Sequence, residues 1–189
     1  MEGLLASWRM HLALKTIFPR LHGGDVLDIG CGSYPLFLVH SPFKKKVGLD
    51  QNPPKKNLEG IEVLQWTLGS TNQLPFADQS FDCLVSLAFL EHLEPDSLPQ
   101  LFSEIFRVLK PTGQFIATTP HAYADRLLRF LAWANLVSKE EIEEHKSLFF
   151  PEDIRQLLLG AQFTPEKIRV SRFQWGMNLL VSAEKGKAA

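Results

Sequence analysis

The feature that most constrains the fold is a short apolar segment followed at once by two glycines, VLDIGCGS over residues 26–33. Its apolar residues predict a buried strand. Gly30 and Gly32 then allow the backbone to turn tightly and to approach a ligand closely, where a Cβ atom would collide. The segment therefore predicts a strand that ends in a ligand-binding turn.

The charges around this turn narrow the choice of ligand. A dinucleotide-binding turn needs a third glycine at the position of Pro35, and it delivers a pyrophosphate to a helix N-terminus. Asp28 would place a carboxylate beside two phosphates, which is costly in a partly dry site. Asp50 ends a second apolar run and is suited to accept hydrogen bonds from ribose hydroxyls. The pattern indicates a nucleoside that carries positive charge and no phosphate.

Five motifs follow one another along the chain: DIGCG at 28–32, GLD at 48–50, LPFADQSFD at 74–82, LEHL at 90–93 and RVLKPTG at 107–113. In this order they resemble the class I S-adenosylmethionine-dependent methyltransferases, and within them the methyltransferase type 11 group. The resemblance implies an α/β, Rossmann-like fold: a seven-stranded, mostly parallel sheet in the order 3-2-1-4-5-7-6 with helices on both faces. It also implies S-adenosyl-L-methionine as cofactor and S-adenosyl-L-homocysteine as product.

The resemblance further implies that the cofactor contacts residues beyond the ends of the central strands. These residues are Asp28, Gly30, Cys31, Gly32, Asp50, Gln51, Ser70, Thr71, Ser86, Leu87 and His92. Two positions depart from the family pattern: Tyr34 replaces a third glycine, and Ser70 replaces an acidic residue that contacts the adenine amino group. Because a serine hydroxyl accepts a hydrogen bond without charge assistance, adenine recognition is expected to depend more on backbone groups near Thr71.

Methyl transfer requires little chemistry from the side chains of the protein. Displacement at a sulfonium is in line, so alignment and the exclusion of water contribute most. An oxygen, nitrogen or acidic carbon acceptor must also lose a proton, which suits the pKa of histidine. His121, after the predicted fifth strand, is the first candidate and His145, before the last helix, is the second. A purely structural role is an equal alternative for both.

Several features bear on partners and location. The net charge of -1 and a pI of about 6.6 provide no positive field to hold nucleic acid. Cys31 and Cys83 lack the spacing of a disulfide framework or a zinc site, so no metal is expected and a reducing cytoplasm is the expected location. Charged residues interrupt every apolar run near the N-terminus, which excludes a membrane-spanning segment there.

The length predicts a single domain over residues 1–189, with an N-terminal helix over 1–22 and a helical insert over 122–150. The N-terminal helix is amphipathic and is expected to pack on the domain, with contact at a membrane surface as the less favoured alternative. The insert is bulky and apolar, and it either roofs the acceptor pocket or joins the core.

Two proline-containing stretches limit the helices. Pro53 and Pro54 exclude a helix between the second and third strands. Asp96 is expected to cap a helix that runs to Leu109, and residues 114–119 are expected to form the fifth strand. A final helix over 151–160 and an antiparallel pair of strands over 167–170 and 178–183 complete the chain.

The segment after the fourth strand narrows the acceptor. Amino-methylating enzymes of DNA and of some proteins carry an Asn/Asp-Pro-Pro-aromatic motif there, whereas residues 86–89 read SLAF. A small-molecule acceptor is therefore expected, and the apolar helices hint at a hydrophobic one, such as a quinone precursor or a lipid-linked sugar. Two rival interpretations are a noncatalytic partner subunit that binds the cofactor and, less favoured, a nucleotide-dependent oxidoreductase.

Overall fold

The computed structural model describes residues 2–67, 73–123 and 146–187. In them the strands are β1 (Asp25–Ile29), β2 (Lys45–Asp50), β3 (Ile61–Gln65), β4 (Phe81–Leu87), β5 (Leu109–Pro120), β6 (Ile168–Phe173) and β7 (Asn178–Glu184). The α-helices are α1 (Glu2–Thr16), α2 (Leu36–His40), α3 (Leu98–Val108) and α4 (Pro151–Gly160). Ser70, Thr71, His145 and most of the predicted insert over 122–150 lie outside the described residues.

The strands form one sheet in the order β3-β2-β1-β4-β5-β7-β6, which confirms the order expected from the sequence. Neighbouring strands from β3 to β5 pair in parallel, whereas β7 is antiparallel to both β5 and β6. The carboxyl ends of β1, β2, β4 and β5 therefore meet at one edge of the sheet, where ligands bind in open sheets of this kind.

Each face of the sheet buries its own apolar layer. Because side chains alternate along a strand, Val26 and Leu27 of β1 belong to opposite layers. On one face, Phe102 of α3 meets Phe115 of β5 edge to face, with ring centroids 5.7 Å apart. On the other face, α1 packs against the sheet through Met10 and Ala13, and Ile17 just after the helix joins the same apolar layer. No helix of the described residues is long and apolar enough to cross a membrane.

The structure corrects two local predictions. Asp96 does not cap α3, because residues 95–97 form a 3-10 turn and the helix begins only at Leu98. The fifth strand begins at Leu109, earlier than predicted, because Leu109 already pairs with Phe81. The irregular residues 110–113 follow, and regular pairing resumes at Gln114. No helix forms over residues 51–60, as the adjacent prolines predict.

The LPFADQS segment before β4 is held against α3 by one guanidinium. Arg107 binds both carboxylate oxygens of Glu104 at 2.7 Å, and it donates to the carbonyl oxygens of Phe76 at 2.8 Å and Leu74 at 3.1 Å. It also pairs with Asp78 at 2.8 Å. The hydrogen bonds with Glu104 raise the pKa of Arg107 above its usual range. One planar fork thus fixes residues 74–78 just before β4.

We expect Arg107→Lys to lower the stability of the protein, because a lysine has no fork to satisfy the same oxygens. Losing several charged hydrogen bonds at a partly exposed site should cost about 1–3 kcal/mol and lower Tm by several degrees. Arg155→Lys is the matched control, since Arg155 makes one long hydrogen bond, 3.4 Å, to Pro165. Equal melting temperatures of the two variants would contradict this role for Arg107.

Candidate active site

The glycine turn predicted after β1 is present and is tied to β2. Gly30 and Gly32 have φ angles of +75° and +73°, a conformation that side chains with a Cβ atom rarely adopt. The backbone N–H groups of Gly30 and Cys31 both donate to the carbonyl oxygen of Leu49, at 2.8 and 3.2 Å. The turn therefore has a fixed position relative to the end of β2.

Asp50 closes the other side of the turn. One carboxylate oxygen accepts the N–H of Gly32 at 2.8 Å, and the other accepts the N–H of Asn52 at 2.8 Å. A carboxylate has about four acceptor positions, so Asp50 keeps lone pairs for a ligand. Asp50 thus lies next to the glycine turn, as the sequence predicts.

Two cavities adjoin above the turn and share Gly30 and Ala88 as lining residues. The first, here called the β2 cavity, has a volume of about 360 Å³ and is lined also by Asp50, Gln51, Trp66, Phe89 and His92. The second, here called the α1 cavity, has a volume of about 180 Å³ and is lined also by Arg9, Met10, Asp28, Cys31, Tyr34 and Leu87. Both cavities lie at the carboxyl edge of the sheet, and together they are called the cleft.

Asp28 is the most unusual group in this cleft. Its side chain is 3% exposed, and its Oδ1 atom has no hydrogen-bond partner among the described residues. Burial, together with the negative charge of Asp50, raises the pKa of Asp28 to about 8. An unsatisfied buried oxygen is costly, so this position favours a ligand that donates a hydrogen bond or carries positive charge.

The other predicted residues divide between this cleft and the core. Cys31 and Leu87 line the α1 cavity, whereas Gln51 and His92 line the β2 cavity. Burial raises the pKa of the Cys31 thiol well above its usual range. Ser86 lies on the opposite face of β4 from Leu87, is 1% exposed and lines neither cavity. Four of these five side chains therefore reach the cleft.

His121 is buried at the end of β5, away from the lining of both cavities. Its Nδ1 atom accepts the backbone N–H of Tyr123 at 3.0 Å, and its ring stacks on the Tyr123 ring. Burial, with a smaller contribution from Arg172, lowers the pKa of His121, which favours the neutral ring. A neutral ring that accepts at Nδ1 carries its proton on Nε2. In this arrangement Nε2 is a hydrogen-bond donor.

Trp66 and Arg9 line the cleft although the sequence did not indicate them, and Phe89 adds a contact with the glycine turn. Trp66 lines the β2 cavity with a buried indole N–H that has no partner among the described residues. Phe89 packs directly on the glycine turn. Arg9 lies on α1 and lines the α1 cavity. Only Arg9 left a usable signal, because it stands four positions before Ala13 and so belongs to the buried side of an amphipathic helix.

Comparison with known proteins identifies the fold family. A family model described as "Methyltransferase domain" matches residues 27–117. An uncharacterized methyltransferase of Synechocystis sp. is 34% identical over 148 residues, which cover 75% of this chain and 68% of the relative. The chain belongs to the class I S-adenosylmethionine-dependent methyltransferases.

Two further proteins are similar to this chain, one in sequence and one in fold. A demethylmenaquinone methyltransferase of Symbiobacterium thermophilum is 29% identical over 68% of this chain, and the chain spans 54% of that relative's length. Phosphoethanolamine N-methyltransferase 2 of Haemonchus contortus, solved in complex with S-adenosyl-L-methionine, has a TM-score of 0.70 at 16% identity, covering 95% of this chain and 53% of that one. The cofactor expected from the sequence, S-adenosyl-L-methionine, is confirmed as that of the family.

We expect Gly30→Val to weaken S-adenosylhomocysteine binding by more than about tenfold. A Cβ atom at Gly30 would lie 2.4 Å from Cδ2 of Phe89, and the new side chain would enter both cavities. Gly60→Val is the matched control, because Gly60 has a similar φ of +71° and a Cβ atom added there would have no neighbouring atom within 4 Å. Titration calorimetry measures both affinities, and equal affinities would contradict the steric role of Gly30.

We expect Asp28→Asn to stabilise the ligand-free protein increasingly as the pH rises from 4 to 8. In the folded protein the pKa of Asp28 is about 8, above its ordinary value of 3.8. Between these pH values the folded state holds a proton that the unfolded state releases. The free energy of unfolding of the wild type therefore falls by about 1.4 kcal/mol for each pH unit. Urea unfolding at pH 4, 6, 8 and 9 measures the difference in free energy of unfolding between the variant and the wild type. This difference should level off above pH 8. A constant difference would contradict the raised pKa.

Proposed function

We propose that this chain transfers a methyl group from S-adenosyl-L-methionine to a small-molecule or lipid-like acceptor. The observation that supports this most strongly is the cleft above Gly30, with the carboxylate of Asp50 in one cavity and the buried carboxylate of Asp28 in the other. Such a cleft suits a nucleoside with a cationic tail and disfavours phosphates.

The cofactor is proposed to lie across the two cavities. Its ribose hydroxyls donate to the free lone pairs of Asp50, and its adenine occupies the β2 cavity beside Gln51 and Trp66. Its amino-acid end enters the α1 cavity, where the ammonium group donates to the unsatisfied oxygen of Asp28. The sulfonium then lies near Gly30, at the junction of the cavities. Asp28 and Trp66 each have a buried polar atom without a partner among the described residues, and Asp50 keeps acceptor positions beyond the two N–H groups that it already binds.

The reaction follows from this placement. A lone pair of the acceptor forms a bond to the methyl carbon while the carbon–sulfur bond breaks. The electron pair of the broken bond stays on sulfur. The sulfonium becomes a neutral thioether, so positive charge leaves the cofactor. The protein contributes by aligning the two reactants and by excluding water. His121 and His145 stay candidates for taking a proton from the acceptor. For His121 this would require Nε2 to give up the proton that the Tyr123 hydrogen bond assigns to it.

The acceptor class is supported by two observations. The net charge of -1 offers no general attraction for a nucleic acid. One relative is named a demethylmenaquinone methyltransferase, and that name favours a hydrophobic acceptor here. We also propose a reducing, cytoplasmic location, because both cysteines are free thiols.

We expect purified protein incubated with methyl-labelled cofactor and a cell extract to label a small product that partitions into organic solvent. Extract with Gly30→Val protein should give only the labelling produced by the extract's own enzymes, and this background is subtracted. Binding of S-adenosylhomocysteine without any incorporation would support the noncatalytic partner subunit instead. Label in nucleic acid or protein would contradict the acceptor class.

A further inference from the structure

Large apolar side chains are exposed on two neighbouring elements of the fold. Leu4, Leu5 and Trp8 are exposed on α1. Trp175 is 97% exposed in the turn between β6 and β7. The rings of Trp8 and Phe173, the last residue of β6, join the two elements, because they meet edge to face with centroids 6.5 Å apart. These five residues form one continuous surface, here called the α1–β6 surface.

The core does not account for the apolar residues that α1 contributes to this surface. Met10 and Ala13 pack on the sheet and are almost fully buried. Leu4, Leu5 and Trp8 lie on nearly the opposite side of the helix, because an α-helix has about 3.6 residues per turn. The helix therefore has two apolar sides, and only one of them belongs to the core.

The turn that presents Trp175 has a fixed backbone. The N–H of Met177 donates to the carbonyl oxygen of Gln174 at 3.0 Å, and the carbonyl oxygen of Met177 accepts the N–H of His121 at 2.8 Å. The second bond ties the turn to the end of β5. Trp175 has a φ of +53°, a conformation that is uncommon for any residue with a Cβ atom. The fold thus holds a large apolar ring in solvent at a conformational cost.

The surface lies at the carboxyl edge of the sheet, beside the cleft. Arg9 of α1 donates to Oδ1 of Asn178 at 3.4 Å, and Asn178 pairs with Pro120, the last residue of β5. Ala6, on the same half of α1, lines the α1 cavity together with Arg9. A partner that covers the α1–β6 surface would therefore lie next to the cleft.

The charge around the α1–β6 surface is positive. Apart from Glu2 at the start of α1, residues 2–16 and 168–178 contain no acidic residue, and they contain four cations: Arg9, Lys15, Arg169 and Arg172. Arg172 directly precedes Phe173, is exposed and forms no ion pair with a described residue. Because the net charge of the whole chain is -1, this positive charge is local to the two segments. Anions are attracted to such a region.

We propose that the α1–β6 surface binds the surface of an anionic lipid bilayer. Tryptophan and leucine side chains partition into the boundary between headgroups and acyl chains, and nearby arginines attract anionic headgroups. Two exposed tryptophans, two exposed leucines and unpaired arginines provide both contributions on one side of the molecule. Because few side chains insert, the binding is expected to be reversible.

This binding would bring the cleft to the bilayer. A hydrophobic acceptor dissolved in the bilayer would then reach the carboxyl edge of the sheet without passing through bulk water. That consequence rests on the proposed lipid-like acceptor. The binding itself does not depend on methyl transfer, so the two proposals are tested separately.

Flotation with lipid vesicles tests the proposal on the full chain. We expect the wild type to bind vesicles of phosphatidylcholine and phosphatidylserine in a two-to-one ratio, and to bind pure phosphatidylcholine vesicles much less. Trp175→Ser should weaken binding to the mixed vesicles by about tenfold, because an indole ring no longer leaves water. Arg172→Gln should weaken it by about fivefold, the effect of one cation near an anionic surface.

Val39→Ser and Lys44→Gln are the matched controls. Val39 is an exposed apolar residue of α2, and Lys44 is an exposed cation just before β2, and both lie outside the α1–β6 surface. Both variants should bind the mixed vesicles within about twofold of the wild type. Equal melting temperatures of wild type and Trp175→Ser would show that the loss of binding does not come from unfolding.

Quenching of tryptophan fluorescence by lipids brominated on their acyl chains measures insertion directly. We expect the mixed vesicles to quench the wild type and to quench Trp175→Phe less. Wild-type protein that binds neither kind of vesicle would overturn the inference. Binding that Trp175→Ser leaves unchanged would also overturn it, because charge alone would then explain the binding.

Two further outcomes separate this inference from its alternatives. Self-association that Trp175→Ser abolishes, without vesicle binding, would assign the surface to a second copy of the chain and overturn the proposal. Vesicle binding by a wild-type protein that does not bind S-adenosylhomocysteine would support the proposal and overturn only the proposed function.

Discussion

The burial of the Asp28 carboxylate at the end of the central strand is the constraint on which the candidate site depends. The side chain is nearly inaccessible, one oxygen lacks a partner among the described residues, and Asp50 adds a second negative charge nearby. Desolvation without compensation destabilises the folded protein. A ligand with a cationic group removes part of that cost on binding, so the same feature that weakens the empty protein favours its cofactor.

The opposite end of the same sheet shows that the fold can pair such carboxylates. There Nζ of Lys110 lies 3.0 Å from Asp25 and 2.8 Å from Asp82. Asp25 also donates its backbone N–H to Asp82 at 2.8 Å. Thus Asp25, at the start of β1, has a lysine partner. Asp28, near the end of β1, has no cation in hydrogen-bonding contact among the described residues. The carboxylates of Asp25 and Asp82 are satisfied within the chain, whereas one oxygen of Asp28 has no hydrogen-bond partner among the described residues.

Much of this arrangement could be predicted from the sequence. Apolar runs that end in Asp28 and Asp50 mark parallel strands, and parallel strands bring their carboxyl ends to one edge, so the two acids had to be neighbours. Side-chain direction was harder to predict. Ser86 was assigned to the site, but its face of β4 became clear only from the packed sheet.

The remaining features depend on contacts between residues far apart in the chain. Arg9 reaches the cleft because α1 packs on one face of the sheet, and Phe89 contacts the glycine turn after the chain turns at Ala88, which has a φ of +54°. The orientation of His121 follows from a hydrogen bond with Tyr123, which residue type alone does not predict. The helix α3 begins after a 3-10 turn that includes Asp96, and the residue type of Asp96 alone did not predict this turn. Such details are set by tertiary packing.

The most direct measurement is the number of protons released when S-adenosyl-L-methionine binds, obtained by calorimetry in buffers of different ionisation enthalpy. With a pKa of about 8, Asp28 is mostly protonated at pH 7 in the empty protein, and a cationic ligand should ionise it. The predicted result is a release of close to one proton per cofactor at pH 7 and much less at pH 9. Binding without proton release at either pH would contradict the assignment of Asp28 as the group that receives the cationic end of the cofactor.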